Sequence, residues 1–256
     1  MPQKKPKISI ISLTCCEGCQ VAIFDLGEKM LELLKHIDLV DMPLIEDLPE
    51  PDHFDVIFIE GAVVSDDDEI RLKKARLKSD VLVAMGTCAC LGGIAEIKNY
   101  QDKEKAIRYV YKNIEGIRNA SVKSLKEVVK VDYQIPGCPI NPEEFLRIAT
   151  DLVFGKQPKI SQRSVCYECQ LKGNECLLQS GLSCLGPIML AGCGAPCPAS
   201  KYPCDGCRGP KFNLNKSAID NLRKIILSQG MSEKEIDMIF ERFGIKNELV
   251  QLQKQT

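Results

Sequence analysis

Three pairs of cysteines at C-x-x-C spacing, Cys16/Cys19, Cys166/Cys169 and Cys204/Cys207, constrain this chain more than any other feature of its sequence. A tight turn at that spacing points both sulfurs inward, so each pair can contribute to one soft-metal centre. The pairs belong to fourteen cysteines, in a chain with two histidines and no tryptophan. Eight of the fourteen lie within residues 166–207. The other six form patches far apart in sequence: Cys15, Cys16 and Cys19; Cys88 and Cys90; and Cys138 alone within PGCP.

Three uses of so many thiols compete. Disulfides need an oxidising compartment. The opening residues MPQKKPK run straight into an apolar stretch, with neither a cleavable apolar leader nor a twin-arginine pair, so a cytoplasmic location is expected. A chain of 256 residues also buries a full core without covalent staples. Zinc is the second use, as in a zinc-stabilised interaction protein. His36 and His53 lie in neither cysteine patch and read as surface residues, so any zinc would be all-thiolate. Iron–sulfur clusters are the third. Four thiolates per cubane make about twelve ligands for three clusters, which leaves Cys15 and Cys90 as natural spares.

The remaining composition excludes several functions. A net charge of −1 gives no basic excess for nucleic acid, and an aromatic content of 5% offers few stacking platforms. No apolar run reaches membrane-span length. The chain has no P-loop, no GxGxxG and no Ser-His-Asp set. A cysteine-rich chain without nucleotide motifs conducts electrons for a partner.

Residues 7–155 alternate strand-like runs with helical patterns. Strands are expected at 7–13, 37–42, 55–60, 80–85 and 129–135, and helices at 21–35, 66–78 and 141–154. The helix at 66–78 has acids in its first turn and bases in its last, the favourable dipole order. This pattern specifies an α/β fold: a flavodoxin-like, doubly wound parallel sheet with helices on both faces. Each of the first three cysteine patches then falls just beyond the carboxyl end of a strand, the edge where such sheets bind ligands. The patches converge on one rim, and a four-thiolate site is expected there. Gly86, Gly92, Gly93 and Gly137 flank these cysteines and would let backbone approach a bulky cluster. Glu17 and Glu60 stand near the same rim, as caps on backbone N–H groups or as modulators of potential.

Residues 160–212 lose all period, and an irregular domain held by its metal centres is expected. The tail returns to helix at 218–227. A capping box at Ser232/Glu235 opens a second helix running to residue 243, and the charged end, 245–256, is expected to fray. The division falls at 1–158, carrying the first cluster, and 159–256, carrying two clusters and the C-terminal helices.

The stretches LTCCEGCQ (13–20), IEGAV (59–63), GTCACLGG (86–93) and IPGCPINPEEF (135–145) resemble the small subunit of [NiFe] hydrogenases. Some of these motifs are shared with the related 20 kDa iron–sulfur subunit of respiratory complex I. The cysteine-rich stretch 165–209 is similar to the second domain of cytosolic (delta) small subunits of the sulfhydrogenase type, which the complex I subunit lacks. The resemblance implies an electron-transfer subunit with three [4Fe-4S] clusters. Cys16, Cys19, Cys88 and Cys138 would bind the proximal cluster, Cys166, Cys169, Cys176 and Cys184 the distal one, and Cys193, Cys197, Cys204 and Cys207 the medial one. Periplasmic members place a histidine at the Cys166 position and often a proline at the Cys197 position. All-thiolate ligation adds negative charge and should lower the potential. The implied partners are a nickel–iron large subunit and a flavin- or iron–sulfur-containing acceptor subunit of the NAD(P) type. The alternatives are the equivalent subunit of an F420-non-reducing or heterodisulfide-linked hydrogenase, or of a quinone or sulfur reductase.

Overall fold

The structure is a computed structural model that describes residues 5–45, 51–117 and 120–254. The first four residues, part of the Pro-rich loop before His53, and the last two residues of the expected fraying end lie outside the described residues.

Five strands form one sheet, the central three of them rich in Ile and Val: β1 (Lys7–Ser12), β2 (Asp38–Asp41), β3 (Phe54–Glu60), β4 (Ser79–Met85) and β5 (Tyr133–Ile135). Every pairing is parallel, in the order β2-β1-β3-β4-β5. This is the flavodoxin-like order. Alternate residues of the central strands serve opposite faces, as the pleat requires. Ile8, Ile10, Val56, Phe58, Val83 and Met85 belong to one core, and Ile57, Ile59, Leu82 and Ala84 to the other. The first core is closed by α1 (Gly18–Phe24), α2 (Glu28–Leu34) and α6 (Pro142–Val153), the second by α3 (Asp66–Leu77) and α4 (Gly86–Leu91). A 3-10 turn (Ile94–Tyr100) and α5 (Lys103–Val110) intervene between α4 and β5.

Two elements are shorter than the sequence pattern suggests. The helix expected over 21–35 is two helices, because Gly27 takes a left-handed φ of +52° between α1 and α2. The last strand pairs only over Tyr133–Ile135; Val129 and Val131 instead pack sideways onto the second core. By contrast α6 begins as expected, with Asn141 capping the Glu143 N–H and Pro142 in the first turn.

The cysteine-rich half is better packed than its irregular sequence implies. It contains α7 (Val165–Leu171) and α8 (Pro196–Ala199). Val165, Leu185, Ile188 and Met189 form a third core with Ile219, Leu222, Ile226, Ile236, Phe240, Ile245 and Leu249. Those partners come from α9 (Lys216–Ser228), α10 (Glu233–Glu241) and α11 (Ile245–Lys254). The segment expected to be held by its metal centres thus also packs an apolar core, half of which arrives from the tail. Within the described residues the tail continues as helix past residue 245, with Ile245 and Leu249 buried in that core. Ile226 is completely buried there, so Ile226→Ala should cost about 2–5 kcal/mol of stability. Thermal unfolding of the metal-free chain measures that loss. A melting curve like the parent's would show that α9 contributes nothing to the core. Among the described residues no helix is long and apolar enough to cross a membrane.

Candidate metal centres

The turn after β1 delivers Cys16 and Cys19 at the start of α1, α4 carries Cys88 just after β4, and Cys138 follows β5. All four line one cavity of about 90 Å³ at the carboxyl edge of the sheet, together with Cys15, Glu60 and Thr87. Glycine makes the room. A Cβ on Gly86 would stand 2.5 Å from the Cys19 sulfur, and one on Gly93 would stand 2.6 Å from the Cys88 sulfur.

Electrostatics shows what this donor set needs. Burial pushes the Cys88 thiol up to about 11, and the neighbouring Cys138 and Cys16 push the same way. Burial raises Cys19 still further, helped by Glu60, Cys88 and Cys138. Cys138 is raised by burial and then by Cys16. Gathering four thiolates in a half-buried site is costly without a cation, and cheap with one. Backbone hydrogen bonds from Ile140 to Cys19 and from Ile94 to Cys88 already favour the thiolate form.

The other eight cysteines fall into two neighbourhoods. Cys166 is pushed up to about 11 by burial, then by Cys184, Cys169 and Cys176. Gly186 sits 3.4 and 3.5 Å, measured from a Cβ built on it, from the Cys166 and Cys184 sulfurs. Asn174 Nδ2 donates to the Cys169 sulfur at 3.6 Å. Cys193, Cys197, Cys204 and Cys207 line a second cavity, of about 450 Å³, that reaches Cys138. Burial pushes Cys207 up to about 11, with Cys193, Cys138 and Cys197 adding to it. The two spares behave differently. Cys15 donates to Glu60 Oε1 at 3.2 Å on the rim of the first cavity. Cys90 is 1% exposed, turned into the second core with its sulfur 3.5 Å from the Ala84 carbonyl.

Sulfur spacing tests which metal fits. Among the described residues, no three cysteine sulfurs lie within 4.8 Å of one another; His53, Asp55 and Asp80 form the one ligand-type group that does. A single tetrahedral zinc would set its sulfurs about 3.8 Å apart. A set of thiols spread wider than one zinc shell, with glycines beside them, leaves room for a larger metal unit. His36 and His53 are half exposed, as their sequence context suggests.

Glu60, 1% exposed, accepts the Gln20 N–H at 3.1 Å and the Cys15 thiol, and burial raises its pKa. Glu17 has no such duty: it begins α1 in the left-handed region, φ +60°, with no side-chain cap. Three residues that the motifs did not single out matter as much. Glu168, inside the Cys166/Cys169 turn, accepts the N–H groups of Gly192 and Gly194 at 2.8 and 2.9 Å and so ties that turn to the Cys193 loop. Arg208 and Glu144 form an ion pair that is almost wholly buried. Charged residues inside or beside the cysteine motifs, as in CYEC, CRG and NPEEF, were the available signal.

Residues 16–152 match the family described as "NADH ubiquinone oxidoreductase, 20 Kd subunit". A subunit of the F420-non-reducing hydrogenase (vhu) from Methanocaldococcus jannaschii is 32% identical, over 95% of this chain and 96% of its own length. The delta subunit of sulfhydrogenase 2 from Pyrococcus furiosus is 33% identical over 86% of this chain and 93% of its own. In structure, a chain of an NAD+-reducing [NiFe]-hydrogenase aligns over 61% of this chain and 95% of its own, with a TM-score of 0.55 and 29% identity. A chain of the actinobacterial-type NiFe-hydrogenase from Ralstonia eutropha H16 shares the fold, with a TM-score of 0.58 over 90% of this chain and 94% of its own at 19% identity.

Proposed function

Since the chain belongs to the family of the 20 kDa subunit of NADH–ubiquinone oxidoreductase, with subunits of an F420-non-reducing hydrogenase and of a sulfhydrogenase among its relatives, we propose that it is the iron–sulfur electron-transfer subunit of a multisubunit [NiFe] hydrogenase. The observation that carries this reading is the gathering of Cys16, Cys19, Cys88 and Cys138 from three distant loops around one glycine-lined cavity. In this proposal those four hold a proximal [4Fe-4S] cluster. Cys166, Cys169, Cys176 and Cys184 hold a distal cluster, and Cys193, Cys197, Cys204 and Cys207 a medial one. The chain divides at residues 158/159 into a flavodoxin-like part carrying the first cluster and a part carrying the other two. When bound, the clusters supply one-electron relay between a nickel–iron site on a partner large subunit and an acceptor subunit in the cytoplasm.

The chain's own residues set the conditions for that relay. Cys16 and Cys138, both exposed, mark the rim that a large subunit would cover. The buried Cys184 and Cys204 keep water from the inner faces of the other two sites. Backbone N–H groups aimed at the sulfurs of Cys19, Cys88, Cys193 and Cys204 stabilise the more negative, all-thiolate state. Glu60 places a buried carboxyl beside Cys15 and Cys19. Replacing it by Gln removes that charge and keeps an oxygen for the Gln20 N–H. Glu60→Gln should therefore raise the proximal potential with full iron content, checked by redox titration; an unchanged potential would show Glu60 to be a cap only.

The acceptor in this proposal is a flavin- or iron–sulfur-containing, NAD(P)-type subunit. A second reading, an acceptor of the F420-non-reducing kind, is favoured by the reach of the similarity: the Methanocaldococcus relative spans 95% of this chain, whereas the delta subunit of an NAD-reducing hydrogenase from Cupriavidus necator spans 59%. Anaerobic purification of the native assembly tests the whole proposal. The expected result is a brown preparation bleached by dithionite, with about twelve irons per copy of this chain, a nickel-bearing partner, and an acceptor subunit identified by mass spectrometry. A colourless, zinc-containing chain without a nickel-bearing partner would defeat it.

A further inference from the structure

The ligand sets proposed above meet at two junctions. The backbone N–H of Cys204 donates to the Cys184 sulfur at 3.2 Å, linking the medial set to the distal set. Between the proximal and medial sets, Cys138 and Cys207 line one cavity.

The two junctions are secured differently. At Cys204/Cys184 the backbone closes on itself, because the Leu185 N–H returns to the Cys204 carbonyl at 2.9 Å. At Cys138/Cys207 the two strands of chain belong to different cores, and side chains must hold them together. Arg208, the residue after Cys207, has 1% of its side chain exposed. Its guanidinium donates to the Pro136 carbonyl at 2.6 Å, two residues before Cys138. It also donates to the Ala191 carbonyl at 3.2 Å, two residues before Cys193. Its remaining contacts are a two-pronged pair with Glu144 of α6, at 2.7 and 3.0 Å. Gly192 leaves the space, since a Cβ there would fall 2.3 Å from Arg208 Nη2. From the other side, the Thr87 hydroxyl, next to Cys88, donates to the Cys207 carbonyl.

We infer that Arg208 is a positioning residue that clamps the Cys138 loop against the Cys207 loop and thereby fixes the gap between the proximal and medial sites. This rests on the cluster assignment under Proposed function. The role is geometric. Glu144 neutralises the guanidinium, so the pair adds little net charge to either site, while the planar fork fixes three chain segments at once. The junction carries one electron; no bond is made or broken there and no proton moves.

Low-temperature EPR of the full chain, anaerobically loaded with iron and sulfide and fully reduced, tests this, because neighbouring paramagnetic clusters split each other's signals. Cys88→Ser, lacking the proximal cluster, supplies the spectrum of the medial–distal pair alone. Arg208→Lys keeps the charge but loses the fork. With wild-type iron content, it should lose the proximal–medial splitting, keep the medial–distal one, and leave each cluster's potential in place. A wild-type splitting pattern in Arg208→Lys overturns the inference. Should that variant fail to load, Thr87→Val, which frees the Cys207 carbonyl at nearly constant volume, decides in the same way. A wild-type chain that takes up far fewer than about twelve irons fails the cluster reading instead, and does so before any variant is compared.

Discussion

Cys138→Ser should reduce the iron of the chain by one third, from about twelve atoms to about eight, and should stop hydrogen-dependent reduction of the acceptor. Cys138 is the single thiol contributed by the loop after β5, so no neighbour in that loop can replace it. A serine oxygen is a hard donor of high pKa and a poor substitute for a soft thiolate. In the proposed assignment the other two sets share no ligand with the first, and the substitution leaves the Cys138 backbone in place. Eight irons should therefore remain, still reducible by dithionite, with entry from the large subunit lost. The two spares provide the contrast. Cys15→Ser removes a thiol whose partner is Glu60 and should retain all the iron. Cys90→Ser places a hydroxyl in the second core and should lower stability by about 1–3 kcal/mol without touching iron content. Iron analysis and EPR of the three variants read the result. Loss of a cluster in Cys15→Ser, with none lost in Cys138→Ser, would overturn the assignment of the first site.

The sheet was legible because its strands carry their own signal. Runs such as DVIFIE are apolar and β-branched, and helix-period stretches between them leave one topology class available. The first cysteine site followed from that topology: Cys16/Cys19, Cys88 and Cys138 could be placed on one edge without any side-chain coordinates. The third core was not legible, for a definite reason. Leu185, Ile188 and Met189 have no periodicity of their own and meet partners, such as Ile226 and Phe240, that lie tens of residues downstream. The same limit hid Arg208 and Glu144. Each reads locally as an ordinary charged residue, and only the docking of two cores removes both from water. α11 shows the error in the opposite direction. Its charged sequence suggested a loose end, yet Ile245 and Leu249 anchor it and its Glu248 pairs with Lys126 at 2.5 Å.

Gly86→Ala should abolish the proximal centre although it removes no ligand. Gly86 opens α4 between Met85 and the segment bearing Cys88, with φ at +85°, a region that costs a residue with a Cβ about 1–3 kcal/mol. Sterics adds a larger obstacle. The new Cβ would lie 2.5 Å from the Cys19 sulfur, inside the van der Waals distance, and 3.7 Å from the Gly137 carbonyl oxygen. Relief requires moving either α4 with Cys88 or the Cys19 side chain, and both are needed on the same cavity wall. A four-thiolate site tolerates neither shift, because its donors must meet one cluster together. Gly18 is the internal control: its φ is not left-handed, and a Cβ there would sit 3.4 Å from the Cys16 sulfur, an ordinary contact. Gly18→Ala should load iron like the parent, and Gly86→Ala should fall to about eight irons with the sheet intact by circular dichroism. Full iron loading in Gly86→Ala would mean that Cys19 lies elsewhere when the cluster is bound, and the proximal assignment would have to exchange Cys19 for another thiol, with Cys15 the nearest candidate on that rim.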